Sequence, residues 1–323
     1  PGKMSATVLA SDFGGTNLRF ALIDSAGKVL IRHEEPTLYS DSREILIEKI
    51  TRQFEKILDI FPGKPQAIGI AAAGLVNSEG GEILSSPHIP GFRNLPLGLI
   101  IKEQFGIPVI IENDASAAAL GEYTFGASQG YQNILHATLG TGIGGGIIIE
   151  GKLYKGQDGL AGEIGHLIFD PLGKICGCGA RGCLETLVSG TSFGKQAQEL
   201  ILNGQAPILA SIATDQKPTT EMLYAAALQK EQSAIETIQN GGHLIGLGLI
   251  TIVNVLNPEV ITLSGGLLKM GNLLIEPIRE TMKSQDYGPA KKTPILESQL
   301  GENCGLLGAA AIAFSELDAS HQV

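Results

Sequence analysis

The chain has 323 residues, 43% hydrophobic and 17% charged, a globular composition long enough for two domains. A formal charge of −10 and a pI of about 5.1 argue against phosphate-backbone binding as the main activity, since a nucleic-acid face needs a basic surplus. Pro1 to Ser11 lacks a charged region followed by an apolar run of signal length. The most apolar later stretch, Leu244 to Leu256, is too short for a bilayer, so a soluble cytoplasmic protein is expected, with no membrane partner.

Val8 to Asp24 reads as strand, glycine turn, strand. Within it lies Asp12-Phe13-Gly14-Gly15-Thr16-Asn17. Adjacent glycines let backbone N–H groups face a phosphate, Thr16 and Asn17 add donors, and Asp12 is placed to organise Mg²⁺. An ordinary β-turn fits the same residues. No G-x-x-x-x-G-K-[ST] loop is present, so this is not a P-loop protein. A strand follows around Val29 to His33. Ser42 to Ile60 has helical periodicity, with Ile45, Ile50, Phe54, Ile57 and Leu58 on its apolar face. Ala67 to Ala72 is a short buried strand ended by Gly74. Leu97 to Phe105 is helical, Val109 to Glu112 a strand, and Asn113 to Glu122 a helix with Asn113 or Asp114 near its cap. Asp114 could accept the proton of a substrate hydroxyl attacking a γ-phosphate; helix capping is the other reading.

The opening pattern then returns. Ile134 to Gly151 is again strand, Gly-Thr-Gly turn, strand, a weak internal duplication. Gly140-Thr141-Gly142 could cradle phosphates or serve strand bending, and Ser264-Gly265-Gly266, after a strand at Val260 to Ser264, would sit beside a base or ribose or be a plain strand-to-helix turn. Helices are expected over Ser192–Asn203, Thr219–Lys230, Gln232–Leu256 and Gly305–Leu317. The most specific signal is His166-x9-Cys176-x-Cys178-x4-Cys183. Three thiolates and an imidazole make a closed tetrahedral Zn²⁺ site, hence a structural one. Cys304 stands apart as an inert thiol. Glu163 and Glu185 flank the loop as carboxylates able to accept sugar hydroxyl protons, or as solvated surface acids.

Taken together, these motifs resemble the ROK family (repressors, open reading frames and kinases) of sugar kinases, from about Ser11 to Ala313 and in family order. The stretch Glu163-Ile-Gly-His166 through Cys176-Gly-Cys178-Gly-Ala-Arg-Gly-Cys183-Leu-Glu185 carries the likeness best. The resemblance implies an α/β, two-lobed actin-like ATPase fold of the ribonuclease H-like class, with duplicated mixed sheets and a cleft between lobes. The expected lobes are 1–113 with 303–323, and 114–302. It implies ATP, Mg²⁺ and a structural Zn²⁺, with glucose phosphorylated at its 6-hydroxyl, or N-acetylglucosamine, N-acetylmannosamine, mannose or fructose instead. Asp12, Gly14, Gly15, Thr16, Asn17, Thr141 and Gly142 match phosphate positions, and Gly265 and Gly266 adenosine positions. Asp114 matches the catalytic base. Gly74, Asn94, Asn113, Glu163, His166 and Glu185 match sugar contacts, and His166 would also bind zinc. A homodimer is implied too. Repressor members carry an amino-terminal helix-turn-helix, whereas here the phosphate motif begins at Asp12, so no DNA-binding domain is expected; Asp114 and the two phosphate motifs favour a kinase over a non-catalytic sugar sensor.

Overall fold

Seven consecutive buried positions make β1 (Thr7–Phe13) a strand covered on both faces. It turns back into β2 (Asn17–Asp24), which pairs with β3 (Val29–Pro36); β3 alternates half-buried and exposed, as an edge strand does. After α1 (Arg43–Ile60), β4 (Ile68–Ala72) joins β1 in parallel. A hairpin of β5 (Leu75–Asn77) and β6 (Glu82–Ser85), then α2 (Leu97–Phe105), lead to β7 (Val109–Asn113), parallel to β4, and to α3 (Asp114–Phe125). The sheet order is β3-β2-β1-β4-β7. The structure, a computed structural model, describes residues 6–15, 17–37, 42–86, 89–214, 216–286 and 288–320.

Ser42 caps α1 by accepting the Ile45 N–H. Leu46, Ile50, Phe54 and Ile57 are the buried face of that helix. Ile45, expected on it, is 51% exposed, because the buried stripe runs through the neighbouring Leu46 instead. Phe20 and Phe54 meet edge to face at 5.4 Å, and Phe54 continues to Phe105 at 5.9 Å.

The second sheet has the order β10-β9-β8-β11-β12, from β8 (Ile134–Leu139), β9 (Ile143–Ile149), β10 (Lys152–Leu153), β11 (Val260–Ser264) and β12 (Ile295–Glu297). Two five-stranded sheets, each containing a glycine hairpin and parallel pairing, are the duplicated actin-like α/β arrangement expected from the sequence. Between β10 and β12 come α4 (Glu185–Val188), α5 (Gly190–Leu202), α6 (Pro207–Ala213), α7 (Thr220–Leu228), α8 (Gln232–Leu256) and α9 (Asn272–Lys283). The last helix is α10 (Cys304–Ser320). Contacts divide the chain into one unit of Pro1–Ile134, Gly146–Gly162 and Ser298–Val323 and another of Leu135–Gly145 and Glu163–Glu297.

In the first unit α10 packs on β1, β4 and α3. Its Gly308 lies so near α3 that a Cβ would sit 2.6 Å from the Ala117 carbonyl, so small residues bring the two helices together. In the second unit, α8 spans the expected Gln232–Leu256. By length and composition alone its 25 residues could cross a membrane, but half of its most apolar window is buried, packed on α9, α7 and α4.

His136 is fully buried between β8 and β11, with Nδ1 2.8 Å from the Thr262 hydroxyl and Nε2 2.9 Å from that of Ser264. Desolvation lowers its pKa from 6.5 to about 4. The folded pKa lies below the unfolded one, so the neutral ring's contribution is complete above pH 6.5 and is lost as pH falls towards 4. We expect a loss of about 3 kcal/mol across that window. Urea midpoints at pH 7 and pH 4.5 should separate wild type from His136→Asn by this difference; equal pH slopes would contradict it.

Candidate active site

The first unit assembles one group of the expected residues around the turn from β7 into α3. Asn113 is the cap of α3: its Oδ1 accepts the N–H groups of Ala115 and Ser116 at 2.9 and 3.2 Å. Its Nδ2 donates to the Gly74 carbonyl at 3.0 Å. Gly74 has φ +122°, and a Cβ there would lie 2.1 Å from the Ser85 carbonyl oxygen, so this position must be glycine. Asn94 stands beside the same hairpin, its N–H donating to the Leu84 carbonyl at 3.1 Å; its φ of 48° is one asparagine tolerates. Gly74 and Asn113 are thus bonded to each other, Asn94 is tied to the hairpin that crowds Gly74, and Asp114 follows Asn113 as the first residue of α3. One Asp114 oxygen accepts the Ala115 N–H at 2.9 Å.

The first phosphate hairpin lies in the same unit. Asp12 faces Arg19 directly across β1 and β2, and the pair closes at 3.1 Å. Burial raises the Asp12 pKa and outweighs the opposing attraction of Arg19. A carboxylate is the ligand type that a Mg²⁺ keeping most of its water would take. Asn17 donates to Glu34 at 2.6 Å, and the Gly14 N–H bonds the Asn17 carbonyl at 3.1 Å to close the turn around Gly15. Thr16 lies outside the described residues.

The second unit holds the other phosphate hairpin. The Gly140 N–H bonds the Gly142 carbonyl at 3.0 Å, and the start of α5 docks on it through Gly190 and Thr191. The Thr191 backbone and hydroxyl both donate to the Thr141 carbonyl; sequence pattern offered no signal for that residue. A Cβ on Gly265 would meet the Leu139 carbonyl oxygen at 2.3 Å, so the adenosine-type turn abuts the strand feeding Gly140.

The glycines fall into two kinds. Gly142 is crowded by the Glu185 carboxylate, and Gly74 and Gly265 are demanded by the protein itself. Gly14, Gly140 and Gly266 are not: a Cβ there meets no described atom closer than 3.4 Å, and none of the three has positive φ. Backbone left bare without an internal reason is what a cradle for phosphate or ribose oxygens would need. Gly14→Ala should therefore leave thermal stability within about 0.5 kcal/mol yet raise the KM for ATP roughly tenfold. Gly265→Ala should destabilise by about 2 kcal/mol or more, given its φ of +102°. Melting curves and ATP titrations of the two variants check this; equal melting losses would refute the distinction.

The four metal-type residues meet in the second unit, their ligand atoms all within 4.8 Å of one another. Cys176 Sγ is 3.5 Å from His166 Nδ1, and Cys178 Sγ is 3.6 Å from Cys183 Sγ. Tetrahedral zinc, with bonds of about 2.3 Å to sulfur and about 2.05 Å to nitrogen, sets these separations at about 3.5 and 3.8 Å. The donor set and its spacing therefore fit zinc. Burial pushes the Cys183 thiol up to about 12, whereas a hydrogen bond from the Ala180 backbone lowers that of Cys178. A metal would displace the thiol protons on binding. His166 Nε2, turned away from the cysteines, is 3.7 Å from the Glu163 carboxylate. Glu185, two residues after Cys183, accepts the Ile143 N–H at 2.9 Å, and Gly142 leaves room for its carboxylate. The metal loop and the second phosphate hairpin are thereby joined through one side chain.

The pattern of the ROK family matches residues 8–316. A glucokinase of Thermotoga maritima is 33% identical over 310 residues, covering 94% of this chain and 96% of that protein. The xylose repressor of Bacillus subtilis is 30% identical over 96% of this chain and 77% of its own length. The crystal structure of a ROK family glucokinase from Streptomyces griseus, in complex with glucose and AMPPNP, superposes with a TM-score of 0.82 at 32% identity, over 96% of this chain and all of that one.

Proposed function

The chain belongs to the ROK family, and from that premise we propose that it is a sugar kinase that transfers the γ-phosphoryl group of ATP to the 6-hydroxyl of glucose. The observation that carries the reading is the full-length likeness to a glucokinase solved with glucose and AMPPNP, together with Asp114 at the opening turn of α3. Asp114 takes the 6-hydroxyl proton as that oxygen bonds to the γ-phosphorus, and the bond to the departing ADP oxygen breaks. Asn94, Asn113, Glu163, His166 and Glu185 hold ring hydroxyls, with Gly74 fixing the Asn113 amide. N–H groups of the hairpins at Gly14-Gly15 and Thr141-Gly142 hold phosphate oxygens, and Gly265-Gly266 seats the adenosine. Asp12 would serve a Mg²⁺, which when bound would supply neutralisation of phosphate charge. His166, Cys176, Cys178 and Cys183 would hold a zinc, and His166 so held would turn its second nitrogen to the sugar. Catalysis by a cytoplasmic homodimer follows from family likeness; light scattering would measure the assembly.

The test is ADP release measured across glucose, mannose, fructose, N-acetylglucosamine and N-acetylmannosamine. Glucose should give the highest kcat/KM. A different leading hexose would overturn glucose and keep the kinase. Sugar binding by calorimetry without any ADP release would replace the kinase by a sensor.

A further inference from the structure

Glu112 is the least expected residue near Asp114. Its side chain is 1% exposed, and carboxylates are seldom buried so completely unless paired. It is the penultimate residue of β7, opposite Ala71 of β4, two positions before Asp114. Every bond recorded for it runs to a different segment or to the turn itself. Oε1 accepts the Asn113 N–H at 3.0 Å. Oε2 accepts from the Ser78 hydroxyl at 2.8 Å and pairs with the Lys155 ammonium at 2.8 Å. Ser78 follows β5, and Lys155 follows β10. Lys155 also opens a closed loop: its carbonyl accepts the Ala161 N–H at 3.0 Å, and Gly156 takes φ +72° to make that bend. One buried carboxylate thus pins the capping residue of α3, the β5–β6 hairpin and the 155–161 loop to a single point.

We propose that the Glu112–Lys155 ion pair is a positioning clamp that fixes the Asn113–Asp114 turn for phosphoryl transfer. It deepens the kinase reading and rests on it for its catalytic consequence. Lys155 is a positioning residue: 43 positions along the chain from Glu112, it is joined to the turn through this carboxylate. The physical argument is one of unpaired charge. Removing the lysine strands a buried carboxylate, which can regain solvation only by moving β7's end, and Asn113 and Asp114 move with it. Misplacement by about 1 Å costs on the order of 10²-fold in an orientation-dependent step.

The experiment compares Lys155→Met, Lys155→Arg, Glu112→Gln and the Glu112→Gln/Lys155→Met double variant. Lys155→Met should lower kcat roughly 10- to 100-fold, with the KM for ATP within about twofold of wild type. Lys155→Arg should restore kcat to within about threefold, and the double variant should be less impaired than Lys155→Met, because no charge is left stranded. Amide hydrogen exchange of the 108–118 peptide should speed up about tenfold in Lys155→Met and not in Lys155→Arg. Unchanged kcat and unchanged exchange in Lys155→Met would overturn the clamp, and so would a lowered melting temperature with kcat intact. If the wild-type protein phosphorylates no hexose, the kinase reading fails, and the exchange comparison still decides the clamp.

Discussion

Replacing Asp114 with alanine or asparagine is expected to remove ~10²–10⁴ of kcat while glucose still binds. The separation of the two effects follows from how α3 begins. Asn113 caps the helix through two N–H groups and holds the Gly74 carbonyl, so the turn keeps its shape without the Asp114 carboxylate. One Asp114 oxygen bonds the Ala115 N–H, a bond that Asn113 Oδ1 duplicates. Asparagine at this position can still accept from that N–H but cannot take the hydroxyl proton. A stability loss large enough to explain a thousandfold rate effect would therefore be visible in melting curves and is not expected. The measurement is kcat by coupled ADP release beside glucose affinity by calorimetry. Near-wild-type kcat in either variant would remove Asp114 from the reaction. Loss of glucose affinity in step with kcat would make it a binding residue instead.

Much of this arrangement could be read along the chain because the informative contacts are local. The two glycine hairpins, the strand–Asn–Asp–helix turn and the Cys-x-Cys loop each lie within about twenty residues, where turn chemistry and metal spacing act directly. The boundaries of α2 and α8 coincide with the periodicity. What could not be read was set by packing at a distance. The α1 stripe runs through Leu46 rather than Ile45 because Phe20 and Phe105 settle how the helix turns onto the sheet. α9 continues through Pro277, a residue that argues for a break, since its buried face of Leu274, Ile275, Ile278 and Met282 packs on α8 and offsets the lost bond. Glu185 was legible as a carboxylate but not as an acceptor for Ile143, 42 positions away. The Glu112–Lys155 pair spans a similar gap. Separations of that size leave no period in the sequence.

Removal of the metal should act through the sugar before it acts through the nucleotide. Elemental analysis is expected to find about one zinc per chain, the stoichiometry of a four-ligand site. Cys178→Ser is the sharpest test. Cys178 is exposed whereas Cys176 and Cys183 are buried, so its loss opens the shell without cutting a hole in the core. Without the metal His166 Nδ1 is left with its 3.5 Å contact to the Cys176 thiol, a weaker tie than a zinc bond, and Nε2 is less firmly directed beside Glu163. Such orienting contacts are typically worth 10- to 100-fold, so the KM for glucose should rise by about that factor. The KM for ATP should rise much less, since the hairpin at Gly140 is held independently by Gly190 and Thr191. Any effect on ATP would pass through Glu185 and Ile143, and Glu185→Gln in the zinc-loaded protein would reproduce it. A chelated, metal-free protein with an unaltered glucose KM would refute the coupling. Zinc bound at full stoichiometry by Cys178→Ser would show that Cys178 is not a ligand.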